Sequence, residues 1–212
     1  MTNEQKFDKG IDHLQHQREI LLGKIEPLNQ NQLDFRPSRQ SWSVGQVAYH
    51  VGMAESVWLG YLKKLLKSAG QERKATLEVS LDELPFSSRI IPDFVLRSWL
   101  FLTPASFFIK LIPRPVQSML FAVPIFKMDA GPRMQPKHGE SRAHVLRYLA
   151  ETRREALDLL QPLKDWDLTR LRIVHPLVGE QDVYGVLELL SSHEQRHSQQ
   201  IEAIKSRSSF PK

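Results

Sequence analysis

The sequence predicts an all-α protein: one four-helix bundle with a long insertion between its second and third helices. Three observations lead there. Four separated stretches carry apolar residues at alternating spacings of three and four, the period of a helix with one buried face. No stretch reads clearly as a strand. Between the second and third stretches lies a run crowded with proline and phenylalanine. At roughly 150 residues per domain, the 212 residues read as a single domain over 1–212.

The first helix is marked by Phe7, Ile11, Leu14, Leu21, Ile25 and Leu28, with only Arg18 interrupting the stripe. It should end near Asn29 to Asn31, before Pro37 imposes an extended conformation on the residue ahead of it. The second begins at Ser43, whose hydroxyl and the Gln46 amide three residues on form a capping box. Val44, Val47, Val51, Ala54, Trp58, Tyr61 and Leu65 then give its buried face, and Gly70 suits its end. The third starts near Ser141, with Val145, Leu149, Thr152, Ala156 and Leu160 as its stripe and Pro162 as its stop. A short connection with His175-Pro176 and Gly179 as turn signals leads to Asp182, a favourable cap. The last helix carries Val183, Val186, Leu190, His193, His197, Ile201 and Ile204 on one face. Four such helices define a bundle.

The insertion spans about 85–136. It holds eight of the 13 prolines and seven of the ten phenylalanines. Prolines at 85, 92, 104, 113, 115, 124, 132 and 136 forbid one long helix. Arg89, Arg97, Lys110, Arg114, Lys127 and Arg133 face only Asp93 and Asp129. A segment both greasy and basic suits a lid or wall over a pocket, or a contact with a partner subunit. Docking on an anionic membrane surface is a second reading. Nucleic-acid binding is disfavoured, because the basic residues do not line one helix face.

Lys and Arg number 29 against 24 Asp and Glu, a formal charge of +5. Cysteine is absent, which excludes a disulfide framework, a cysteine nucleophile and any zinc–thiolate site, and suits a reducing cytosol. The amino terminus is polar and has no apolar signal core. No run approaches the roughly 18 apolar residues of a membrane span. The expectation is a soluble, cytoplasmic protein.

His193 and His197 stand where leucine would be expected. Four residues apart on a helix, they lie one above the other. Imidazoles on a core-facing stripe are costly unless their nitrogens find partners. Spacing alone leaves two readings: polar neighbours within the bundle, or a divalent cation, which takes neutral imidazole at this separation. His193-Glu-Gln-Arg-His197 also matches the H-E-x-x-H string of zinc peptidases, whose glutamate activates water. That reading lacks a third ligand downstream: the extended form needs Gly and His where this chain has Gln200 and Ala203, and Glu202 is the sole acid after His197. His50, beside the stripe of the second helix, is the better third ligand. Three nitrogens with further positions open would mark a catalytic site. Glu194 is a candidate general base or orienting group, or the partner of a neighbouring arginine. Arg196 suits either an anionic substrate or a solvated helix face. Glu55 and Tyr49 neighbour the face of the second helix and are read as helix-surface residues, with pocket lining as the other reading; His175 is read as structural, and His13, His16, His138 and His144 as surface residues.

Trp42-Ser-Val-Gly-Gln-Val-Ala-Tyr-His50, followed by His193-Glu-Gln-Arg-His197-Ser-Gln-Gln-Ile201, resembles the DinB-like superfamily. The His175-Pro-Leu-Val-Gly179 turn is similar to the DinB_2 type of domain. The resemblance covers about 5–70 and 140–205. It implies a four-helix bundle with His50, His193 and His197 as ligands of a divalent metal, zinc or nickel. It also implies a metal-dependent hydrolase or a transferase using a low-molecular-weight thiol, acting on a small-molecule substrate, with homodimers common. The insertion departs from compact members. The contrasting expectation is a metal-binding interaction module without turnover, whose insertion docks a partner or membrane.

Overall fold

The computed structural model describes residues 1–80, 134–176 and 178–212. Among these residues four long helices carry the fold: α1 (Asn3–Ile25), α3 (Val44–Ala69), α4 (Arg142–Leu160) and α5 (Val183–Lys205), with a short α2 (Gln30–Asp34) between the first two. The chain is mostly helical, as its periodicity predicts. Each long helix opens on a side-chain cap. Thr2 with Gln5 and Ser43 with Gln46 form complete capping boxes, and Ser141 and Asp182 accept from the amides of His144 and Gly185. These bonds satisfy first-turn amides that have no partner inside the helix.

Pairing contacts fix the helix directions. Tyr184 donates to the Asn3 carbonyl and Lys24 pairs with Glu202, so α1 and α5 run parallel. Tyr49 meets His144, Glu55 meets Arg153 and Lys63 meets Glu155, so α3 and α4 are also parallel. The segment leading into α4 docks on α3 where Gln46 Nε2 donates to the Pro136 carbonyl. Most of the predicted insertion falls on 81–133, outside the described residues.

Among the described residues three short strands accompany the bundle: β1 (Ala75–Glu78), β2 (Leu171–His175) and β3 (Gly179–Asp182), in the order β1-β2-β3. β1 pairs parallel to β2, with Ala75 opposite Leu171. β2 and β3 form a hairpin with His175 opposite Gly179. Gly179 has φ 74°, a left-handed conformation that costs glycine little. The sequence reading has no strand here. β1 has only four residues, and its partner lies nearly the whole bundle away in sequence, so no local period reveals the pairing. The sheet covers one end of the core through Leu171 and Ile173.

Buried apolar residues fall into two clusters. One gathers Leu14, Leu59, Leu62, Leu160 and Leu187 with the sheet; the other gathers Leu21, Val47, Val51, Leu149 and Ile201. Between them lies a layer of buried charged residues, described below with the site beside it.

Candidate metal centre

His50 lies on the second turn of α3, and His193 and His197 lie midway along α5. The two helices pack face to face. This brings one ring nitrogen from each of the three histidines within 4.8 Å of the others. Nε2 of His193 and Nε2 of His197 are 3.1 Å apart. Nitrogens bound at about 2.0–2.1 Å to one tetrahedral cation would be separated by roughly 3.3 Å. The His193–His197 pair thus already stands near the spacing of two ligands on one ion, with a His50 nitrogen within 4.8 Å of both.

Neighbouring groups set the tautomers. His50 Nδ1 lies 3.2 Å from the Met134 carbonyl, which can only accept, so the proton sits on Nδ1 and Nε2 keeps its lone pair. His197 Nδ1 donates to Gln200 Oε1 at 2.8 Å, leaving its Nε2 free to face His193. Fixing the far nitrogen in this way is how proteins aim imidazole at a metal. Trp42 packs on the His50 ring at 4.8 Å between centroids and limits its rotation.

Burial keeps the rings neutral. It pushes His50 down to about 4 against the opposing hydrogen bond to the Met134 carbonyl, and the Arg196 charge adds a smaller downward push. His197 is pushed down to about 3 by burial and by His50. His193 lies well below the ordinary imidazole value through burial and its two histidine neighbours. Uncharged imidazole is the form that binds a cation.

Glu194 points elsewhere. It is 2% exposed, and its two oxygens accept from Arg18 Nε and Arg153 Nη2. The same two arginines reach Glu55, through Arg18 Nη2 at 2.8 Å and Arg153 Nε at 2.7 Å. The remaining guanidinium nitrogens donate to the backbone carbonyls of Leu149 and Leu14. The four side chains form a closed ring, one from each long helix. Burial alone would raise the Glu55 pKa, but Arg18 and then Arg153 overcome it and hold the carboxyl below its usual range. Glu55 is thus not a surface residue, as its sequence position suggested. The burial of Arg153 carried no recognised signal, and Arg18 showed only as a break in a stripe.

The other histidines stay apart from the cluster. His13, His16 and His138 are exposed. His144 is half-buried and pairs with Glu140 at 2.7 Å. His175 is buried at the end of β2 against Trp58 and Tyr61. Tyr49 stacks on Tyr148 of α4, at 4.5 Å between centroids. Arg196 is half-buried beside the cluster.

A bundle of this connectivity with three convergent imidazoles defines a class of helical proteins with a possible metal centre. The chain belongs to the DinB superfamily: the DinB_2 family matches residues 13–201, a span that holds all three histidines. Among solved structures it is similar to YfiT from Bacillus subtilis, described as "a probable metal-dependent hydrolase with an unusual four-helix bundle topology". The two share 18% identity over 100% of this chain and 91% of that one, with a TM-score of 0.56. At that identity the likeness is one of fold. No curated protein matches the chain.

Proposed function

We propose that this protein is a metal-dependent enzyme whose divalent cation, zinc or nickel, is held by His50, His193 and His197. One observation carries the reading: nitrogens from distant parts of the chain meet within 4.8 Å, those of His50 and His197 aimed by hydrogen bonds on their far nitrogens. A bound cation would supply Lewis-acid activation of a water molecule or a small-molecule thiol near neutral pH. The chain's own residues hold the three rings and leave the remaining positions to reactants. Glu194 is assigned to bracing rather than proton transfer, since both its oxygens accept from arginine. Any thiol must come from a cosubstrate, because the chain has no cysteine. The same absence supports action in a reducing compartment such as the cytoplasm. Hydrolysis has support from the description of YfiT; thiol transfer rests on the family resemblance.

Metal analysis of the purified protein and of His193→Ala tests the site. The expected result is about one divalent ion per chain, absent from the variant. Hydrolysis and thiol-conjugation screens, each repeated after exhaustive chelation, test the chemistry. Turnover that survives complete metal removal contradicts the proposal.

A further inference from the structure

The buried ring of Arg18, Glu55, Arg153 and Glu194 is larger than the fold requires. Moving a charge out of water costs several kcal/mol even after relaxation, and apolar replacement of buried ion pairs is often neutral or stabilising. The bundle already has an apolar cluster on each side of this layer. Its continuation through the layer would serve cohesion equally well.

The placement of the four residues is specific. Both carboxylates come from the helices that carry the histidines: Glu55 from α3 and Glu194 from α5. Both guanidinium groups come from the helices that carry none of the three clustered histidines: Arg18 from α1 and Arg153 from α4. Each arginine spans both acids, so α3 and α5 are tied together from two sides. Glu194 directly follows His193. Glu55 lies five residues beyond His50, roughly 7.5 Å along the helix axis at 1.5 Å per residue. Apolar contacts are non-directional and tolerate sliding, whereas the guanidinium fork fixes both distance and angle.

We propose that the ring is a positioning device for the histidine cluster: it locks the register of α5 against α3, so that the His193 and His197 nitrogens converge on that of His50. It also holds the two nearby carboxylates on arginine and away from the cation, which keeps the ligand set at three imidazoles. Arg18, Glu55, Arg153 and Glu194 are positioning residues, not catalytic ones. This inference rests on the metal reading above.

The test uses the double variant Arg18→Met/Glu55→Leu, which removes one acid and one base and leaves Arg153 paired with Glu194. Arg18→Lys keeps the buried charge, loses the fork, and carries the test should the double variant lose its fold. Zinc affinity is measured by competition with a chromogenic chelator, and the visible absorption of the cobalt form reports ligand geometry. Both variants are expected to keep wild-type helicity. Zinc affinity should fall on the order of 10-fold or more in the double variant, and less in Arg18→Lys, with a shifted cobalt spectrum in both. Wild-type affinity and an unchanged spectrum in both variants would overturn the positioning role and leave the metal site standing. If the wild-type protein binds neither ion, or if His193→Ala binds as well as wild type, the metal reading itself falls and the inference falls with it.

Discussion

At the scale of single residues, the site depends on where protons are kept. His50 and His197 each spend one nitrogen on a fixed acceptor, and the other is thereby committed to the cluster. Gln200 is exposed, yet it carries half of that arrangement for His197. Gln200→Leu is expected to weaken zinc binding about 10-fold while leaving the melting temperature of the metal-free protein unchanged; chelator competition and calorimetry measure the two effects. The three imidazoles were legible because each stands at or beside a stripe position made for an aliphatic side chain. The charged ring was not legible. Arg18 looked like one tolerated exception and Glu55 like a surface acid; for Glu194 the pairing with an arginine was one of the readings open, beside a catalytic role, and the structure pairs it with two. Only the assembled bundle shows that these residues, with Arg153, neutralise one another.

At the scale of elements, helix starts set the phase of everything that follows. The Ser43 box fixes the first turn of α3, and His50 lies seven residues on. Ser43 is 1% exposed, and Gln46 is bonded both to it and to the Pro136 carbonyl. Ser43→Ala should therefore cost about 1 kcal/mol of stability, read by urea unfolding. All four long helices could be located from spacing, and Ser43 and Asp182 from cap chemistry, because both are local; the Thr2 cap was missed, and the first helix stops at Ile25, short of the expected Asn29 to Asn31, where a separate short helix follows. The sheet could not. β2 does alternate, with Leu171, Ile173 and His175 buried and Arg172 exposed, but five residues are too few to stand out. The parallel directions of α3 and α4 escaped notice for the same reason, since direction is a property of pairs of elements.

At the scale of the whole molecule, two linkages follow. His175 joins the sheet to α3, and burial pushes its pKa down to about 4 from an ordinary 6.5. Between those values the unfolded chain binds the proton and the folded chain resists it. Stability from this group is therefore complete above about pH 6.5 and is lost as the pH falls toward 4. From pH 7 to 5 the loss should be about 2 kcal/mol. His175→Phe should be correspondingly less acid-sensitive than wild type over that range in denaturant titrations, and equal sensitivity would contradict the assignment. The second linkage is to metal. An ion that binds only the folded protein stabilises it by about 4 kcal/mol at a thousandfold excess over Kd. Zinc should thus raise the melting temperature of the wild-type protein and not that of His50→Ala.

The central claim is that one cation is shared by three imidazoles drawn from α3 and α5. A crystal of the zinc-loaded protein, with diffraction recorded on either side of the zinc absorption edge, tests it most directly. A single anomalous peak is expected at about 2.0–2.1 Å from Nε2 of His50, His193 and His197. A strong peak bound elsewhere on the chain, with these three nitrogens left uncoordinated, would contradict it.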